Sequence, residues 1–267
     1  MHLRTLSRKR NASWPDAFPF WVPTIASLSR LEFSTPAAFF VGENGSGKST
    51  LLEALACAAR LPTVGGDDVE RDDTLCGPRL LASKLSLSWS RPTHRGFFLR
   101  AEDYFNFARR INATARELET LAEGYERDFA TNPDEIGAKH AAGYVRGQRQ
   151  QLRARYGEDA DALSHGEGFM NLFAQRLVPN GLYLLDEPEA ALSPTRQLAF
   201  LSLMKEFAAQ NCQFIIATHS PLLLAFPGAQ IWSFDGDEIM NAAYDELSHV
   251  QLTRAFLSDP EAFLRRL

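Results

Sequence analysis

The sequence predicts an α/β protein with a mixed, mainly parallel sheet flanked by helices, into which a helical lobe is inserted. Three observations carry that prediction. Apolar runs of buried-strand length recur at 37–41, 182–185 and 213–217, too continuously apolar for strands with one wet face. Turn chemistry and helix-favouring sequence follow the first two of these runs. Between about residues 102 and 160 the alternation gives way to long, charged, helix-favouring sequence.

Taken in order, the chain opens with basic residues Arg4, Arg8, Lys9 and Arg10, but polar sequence occupies 11–16, where a secretory signal needs an apolar core. Residues 37–41 read as a strand, a glycine-rich turn follows, and 49–60 read as a helix. Residues 84–90 place Leu85, Leu87 and Trp89 on one face, and 96–100 form a compact aromatic run; both predict strands. The helical stretch is interrupted around 131–137 and again near Gly143 and Gly147, which predicts a lobe with a loose middle. The expected organisation is one domain over 1–267 with the lobe at 102–180. The strands at 182–185 and 213–217 are separated by a helix starting near Pro194, a residue suited to a first helical turn. Residues 229–234 and 238–241 flank Gly236 as a late hairpin, and helical sequence runs to the C-terminus. Neither an internal repeat nor a long heptad pattern is visible.

Composition narrows the class. Hydrophobic residues are 45% and charged residues 23% of 267, as in ordinary globular enzymes and unlike disordered or fibrous chains. With 28 basic and 33 acidic side chains the net charge is -5, which excludes a broadly basic coat for polyanions while leaving a local patch open. Cys57, Cys76 and Cys212 are odd in number and far apart, so they read as thiols in a reducing compartment rather than a disulfide or zinc framework. The apolar stretch 221–226 is broken by Pro227 and Gly228, and no segment reaches membrane-spanning length. A cytoplasmic location is the expectation.

The strongest chemical signal is Gly42-Glu43-Asn44-Gly45-Ser46-Gly47-Lys48-Ser49, followed by Thr50, which meets the P-loop pattern between a strand and a helix. Glycines let the main chain curl so that successive N–H groups face phosphate oxygens, and the helix adds its positive end. Lys48 is suited to the β- and γ-phosphates, and the Ser49 hydroxyl to Mg²⁺. Further on, the strand at 182–185 ends in Asp186 and Glu187, as a Walker B segment does. Paired acids after a strand are ordinarily a solvated turn. With a P-loop upstream they gain chemical roles, Asp186 binding Mg²⁺ and Glu187 acting as general base toward water. The strand bearing this pair is expected beside the P-loop strand.

Leu163-Ser164-His165-Gly166-Glu167 precedes that strand and opens an amphipathic helix with Phe169, Leu172, Phe173 and Leu177 on one side. Ser164 with Glu167 also fits a capping box. The segment resembles the signature motif of ABC-type ATPases, with His165 in place of the first glycine and Glu167 in place of the glutamine. Pro188 to Pro194 lies where that family has its D-loop, with Ser193 where an aspartate is common, and Ala217-Thr218-His219-Ser220-Pro221 lies where it has its switch histidine. The order of these motifs covers most of the chain, and their wording resembles small stand-alone ATPases labelled AAA-family, akin to the SMC and DNA-repair branch.

The resemblance implies an ATPase using ATP and Mg²⁺, with Glu187, His219 and Lys48 catalytic. It implies an ATP-dependent homodimer in which Ser164 and Gly166 of one copy cover the ATP held by the other. A DNA or protein partner is implied for the lobe, where Arg146, Arg149, Arg153 and Arg155 are either a contact patch or a solvated face. Two other classes stand beside it: the ATP-binding subunit of a membrane transporter with a separate permease, and an ATP-sensing module that does not hydrolyse. The family's glutamine, expected after a strand that follows the P-loop, has no counterpart; Glu102 stands there, able to hold Mg²⁺ or its water but read first as a surface carboxylate at a helix start. Adenine-stacking candidates upstream of the P-loop are Phe18, Phe20 and Trp21, for which core packing is the alternative.

Overall fold

The computed structural model describes residues 2–64, 72–131, 136–156 and 165–265. The chain divides into two compact units, residues 1–101 with 177–267, and residues 102–176. The first begins with β1 (Leu3–Arg8), α1 (Pro23–Ala26), β2 (Arg30–Glu32), β3 (Ala37–Val41), α2 (Lys48–Ala59), α3 (Cys76–Lys84), β4 (Leu85–Trp89) and β5 (Gly96–Arg100). The second is built from α4 (Ala101–Thr131), α5 (Ile136–Tyr156) and α6 (His165–Arg176). The first resumes with β6 (Leu182–Asp186), α7 (Pro194–Ala209), β7 (Gln213–Ala217), α8 (Pro221–Leu224), β8 (Gln230–Ser233), β9 (Met240–Ala242), α9 (Ser248–Ser258) and α10 (Pro260–Leu264).

Six strands form the main sheet in the order β5-β6-β7-β3-β8-β9. Every pairing is parallel except β8 with β9, so the sheet is mixed and mainly parallel, as the alternation of apolar runs and helices predicts. One expectation needs correcting. β7 lies between β3 and β6, so the strand ending in Asp186 is one strand removed from the P-loop strand. Chain order does not encode spatial order in a sheet. Register keeps the ends level nonetheless: Phe40 pairs with Ala217, and Ala217 with Asp186.

Both faces of this sheet are covered, which is why β3 and β7 are buried along their whole length. Phe40, Leu184 and Ile215 join Leu51, Leu52 and Leu55 of α2 and Leu81 of α3 in one core. The alternate residues Tyr183 and Phe214 stack at 5.3 Å on the opposite side, and α7 packs against β7 with Phe200 and Met204 fully buried.

A second, antiparallel sheet of order β2-β1-β4 was not legible in the sequence. Leu3 and Leu6 are both fully buried although an odd spacing separates them; a register shift between Leu3 and Thr5 returns both to the core side and hides the period-2 signal. α3 was hidden by Gly77-Pro78, which reads as a turn; Pro78 sits in the first helical turn, where no N–H is needed.

In the second unit, α5 runs unbroken through Gly143 and Gly147, against the interruption expected there. Each glycine costs a helix about 1 kcal/mol, and Ala142 and Val145 are buried to hold the helix in place. The other expected break, around 131–137, falls partly on 132–135, which lie outside the described residues. Phe169 and Phe173 of α6 stack at 4.8 Å, and Tyr104 meets Phe169 edge-on at 5.0 Å. Arg146 pairs with Glu126 at 2.8 Å and Arg149 with Glu119, both across α4 and α5. The side chains of Arg153 and Arg155 lie outside the described residues. No described helix is long and apolar enough to cross a membrane.

Candidate functional site

The site grows from the carboxyl ends of the central strands, where a parallel sheet gathers its loops. β3 passes into the P-loop, whose Gly42, Gly45 and Gly47 all have positive φ, at 148°, 81° and 99°. Gly47 is required twice over: a Cβ there would stand 2.9 Å from the Thr24 hydroxyl, and its left-handed φ disfavours any side chain. That hydroxyl donates to the Ser46 carbonyl, fixing α1 against the loop. Glu43 N–H donates to Asp235 Oδ1 at 3.1 Å, fixing the loop's other flank. α2 starts at Lys48 with no side-chain cap, so no capping side chain competes for its leading amides.

Lys48 is only 4% exposed. Its Nζ donates to the Gly42 carbonyl at 2.7 Å and the Glu43 carbonyl at 2.8 Å. Burial pulls its pKa below the ordinary lysine value, while Glu187, Asp186, Asp235 and Glu43 push it back up. The ammonium is thus a concealed cation ringed by acids, held by two carbonyls.

At the end of β6 the Ser49 hydroxyl donates to Asp186 Oδ1 at 3.1 Å. Burial pushes the Asp186 pKa up to about 7, with Ser49 and Lys48 lowering it and Glu187 raising it. Glu187 then takes a left-handed conformation, φ 48°, which is strained for a residue with a side chain, and its N–H donates to the Ala217 carbonyl at 2.9 Å. This turn leaves the Glu187 carboxylate about half exposed, 3.8 Å from His219 Nε2. A cavity of about 420 Å³ is lined by Phe18, Val22, Asn44, Gly45, Gly47, Lys48, Ser49, Thr50 and Glu187. Such a space suits a nucleotide-sized ligand.

The structure therefore brings Asn44, Gly45, Gly47, Lys48, Ser49, Thr50 and Glu187 to one opening, with Asp186 joined to it through Ser49 and His219 through Glu187. It also separates the three aromatic candidates. Phe20 is core, 4.7 Å from Trp14; Phe18 lines the cavity; Trp21 is 65% exposed and meets Phe18 edge-on at 5.9 Å. Ser164 lies outside the described residues, Gly166 is in the first turn of α6, and the Glu102 side chain is likewise outside them. Sequence reasoning missed Thr24, Asp235 and Glu189. The first two meet the P-loop only through tertiary packing and carry no local signal. Glu189 sits inside the motif-bearing segment, but only the fold shows that its Oε1 accepts the His219 N–H at 2.6 Å.

Residues 70–225, more than half of the chain, match the family model described as "AAA domain, putative AbiEii toxin, Type IV TA system". Residues 24–62 match a second AAA-domain model. Among curated proteins, the chain is 29% identical over 240 residues to the pyoverdine export ATP-binding/permease protein PvdT of Pseudomonas fluorescens, covering 86% of this chain and 33% of that protein. The chain thus spans about one third of the length of the curated relatives it matches. Similar solved structures include a nucleotide-free ATP-binding cassette from an ABC transporter, with TM-score 0.48, 15% identity and coverage of 98% of this chain and 97% of that one. The SMC head domain from Thermotoga maritima is another, with TM-score 0.43, 15% identity and coverage of 91% and 100%.

Proposed function

We propose, from the fact that this chain belongs to the AAA-domain family matched over residues 70–225, a division of labour within its ATP-binding and ATP-hydrolysing site. The supporting observation is that Lys48, Ser49, Thr50 and Glu187 line one cavity. The P-loop amides cradle the triphosphate, whose oxygens replace the Gly42 and Glu43 carbonyls as partners of the Lys48 ammonium. Glu187 takes a proton from water as the water oxygen bonds to the γ-phosphorus; the bond from that phosphorus to the bridging oxygen breaks, giving ADP and phosphate. His219 holds the γ-phosphate and the attacking water in line. Phe18, with Trp21 behind it, offers the base an aromatic face.

The residues present fit Mg²⁺. A serine hydroxyl and a carboxylate are the hard oxygen donors this cation takes, and the two stand side by side, the Ser49 hydroxyl 3.1 Å from Asp186 Oδ1. Ser49 and Asp186 would hold the ion, which when bound neutralises phosphate charge. Lys48→Ala should weaken ATP binding by at least about 100-fold, the scale of losing a buried charge-assisted contact. Equilibrium titration with a fluorescent ATP analogue measures this, and wild-type affinity in that variant would remove the P-loop from the account.

The wider role proposed is an ATP-driven switch. Two copies close over ATP, with Ser164 and Gly166 of each covering the nucleotide of the other, and hydrolysis reopens them. A cytosolic protein partner is preferred to DNA, because Arg146 and Arg149 are already neutralised by acids of α4. A second reading, the ATP-binding portion of an export machine, is favoured by the names of the curated relatives. Co-purification with a membrane permease would select it.

A further inference from the structure

Glu189 has no part in the chemistry above, yet it is the acid on which the histidine-bearing turn hangs. It lies in the 3-10 turn Pro188–Ala191 that follows Glu187. Its Oε1 accepts the main-chain N–H of His219 at 2.6 Å, and the Thr218 side chain helps hold the Glu189 pKa down against the burial that raises it. Thr218 Oγ1 in turn accepts the N–H of Ser220 at 3.0 Å. Of the residues after β7, His219 is therefore held by Glu189 and Ser220 by Thr218.

A second link runs in parallel. Gln197 of α7 donates from Nε2 to the Leu192 carbonyl at 3.0 Å, and its Oε1 accepts the Ser220 hydroxyl at 2.5 Å. The segment after Glu187 and the segment carrying His219 are thus tied at two points, Glu189 being the nearer to the hydrolytic pair. The side chain is half-buried, and its Oε2 is out of solvent with no hydrogen-bond partner. An acid with one oxygen desolvated and unbonded is a poor stabilising device, since desolvation offsets what its bonds contribute. Its geometry instead serves placement: the His219 imidazole is set 3.8 Å from the Glu187 carboxylate.

We propose that Glu189 is a positioning residue for ATP hydrolysis, which by holding the His219 amide fixes the His219 imidazole beside Glu187. This rests on the reading of Glu187 and His219 as the hydrolytic pair. His219 meets only the γ-phosphate, and the P-loop supplies most of the nucleotide contacts, so loss of Glu189 should lower kcat far more than it changes KM.

The test uses the full chain with Glu189→Ala, Glu189→Gln, His219→Ala and the double variant Glu189→Ala/His219→Ala in steady-state phosphate release with Mg-ATP. Glu189→Ala should lower kcat about tenfold or more with KM changed less than about twofold. Glu189→Gln keeps an acceptor for the His219 N–H and should recover most of the rate. Glu189→Ala should cost nothing further once His219 is gone. Multiplying losses in the double variant, or a glutamine variant as impaired as the alanine one, would overturn the proposal. A readout independent of turnover is the His219 side-chain NMR resonance in nucleotide-free protein. It should move in Glu189→Ala and return in Glu189→Gln. An unmoved resonance in Glu189→Ala overturns the placement. Absence of phosphate release by the wild-type protein would sink the hydrolytic pair alone, and the resonance would still decide whether Glu189 places His219.

Discussion

Asp186 is a carboxyl that burial holds at a pKa of about 7, far above the ordinary aspartate value. A carboxyl raised on folding binds its proton more tightly in the folded than in the unfolded chain, so metal-free stability falls as pH rises from about 4 to about 7. Asp186→Asn should remove that fall. In chelator, the variant should be more stable than wild type at pH 8, by up to about 4 kcal/mol for a carboxyl raised that far, with the gap closing toward pH 4. Urea unfolding across pH 4–8 measures it, and an Asn variant with the wild-type pH slope would show that another group is responsible. Mg²⁺ should narrow the gap at pH 8 by stabilising the anion. At this scale the candidate site was legible wherever its residues are contiguous, as in Gly42 to Thr50 and in Asp186-Glu187. Thr24 and Asp235 were not, because their contacts join segments far apart in the chain.

Among the described glycines, Gly96 of β5 leaves the least room for a side chain. Gly96 pairs with Leu182 at φ 123°, and a Cβ there would come within 1.7 Å of the Leu182 carbonyl oxygen. Gly96→Ala should therefore push β5 away from β6 and cost roughly 3 kcal/mol or more, the range for strain at a special backbone position combined with lost pairing. Because Arg100 at the far end of β5 pairs with Asp186, the ATPase rate should fall along with the melting temperature. A wild-type melting temperature would show that the strand accommodates the methyl group. The strands predicted at 37–41, 96–100, 182–185 and 213–217 were legible because each is a short, mostly apolar or aromatic run. β1 was not, since its bulge breaks the alternation that a single-strand pattern needs. The helix through Gly143 and Gly147 was misread as broken because glycine propensity is a weak prior that a buried face overrides.

For the whole molecule, the proposed cycle makes a measurable demand. Glu187→Gln removes the base while leaving the cradle intact, so Mg-ATP should accumulate in the closed form and the mass in solution should double at micromolar protein. Light scattering reads this directly; a monomer under those conditions would set aside the ATP-bridged pair while leaving the pocket in place. The sequence by itself determined the local chemistry: a phosphate-binding loop, an acid pair at a strand end and a mainly parallel sheet, because each is written in adjacent residues with its own periodicity or spacing. Tertiary structure alone decided that β7 separates the loop strand from the acid strand, that an antiparallel sheet is built at β1, and that Glu189 and Asp235 support the neighbouring turns. Those outcomes follow from burial and hydrogen-bond demand summed over distant segments, which no local window of residues contains.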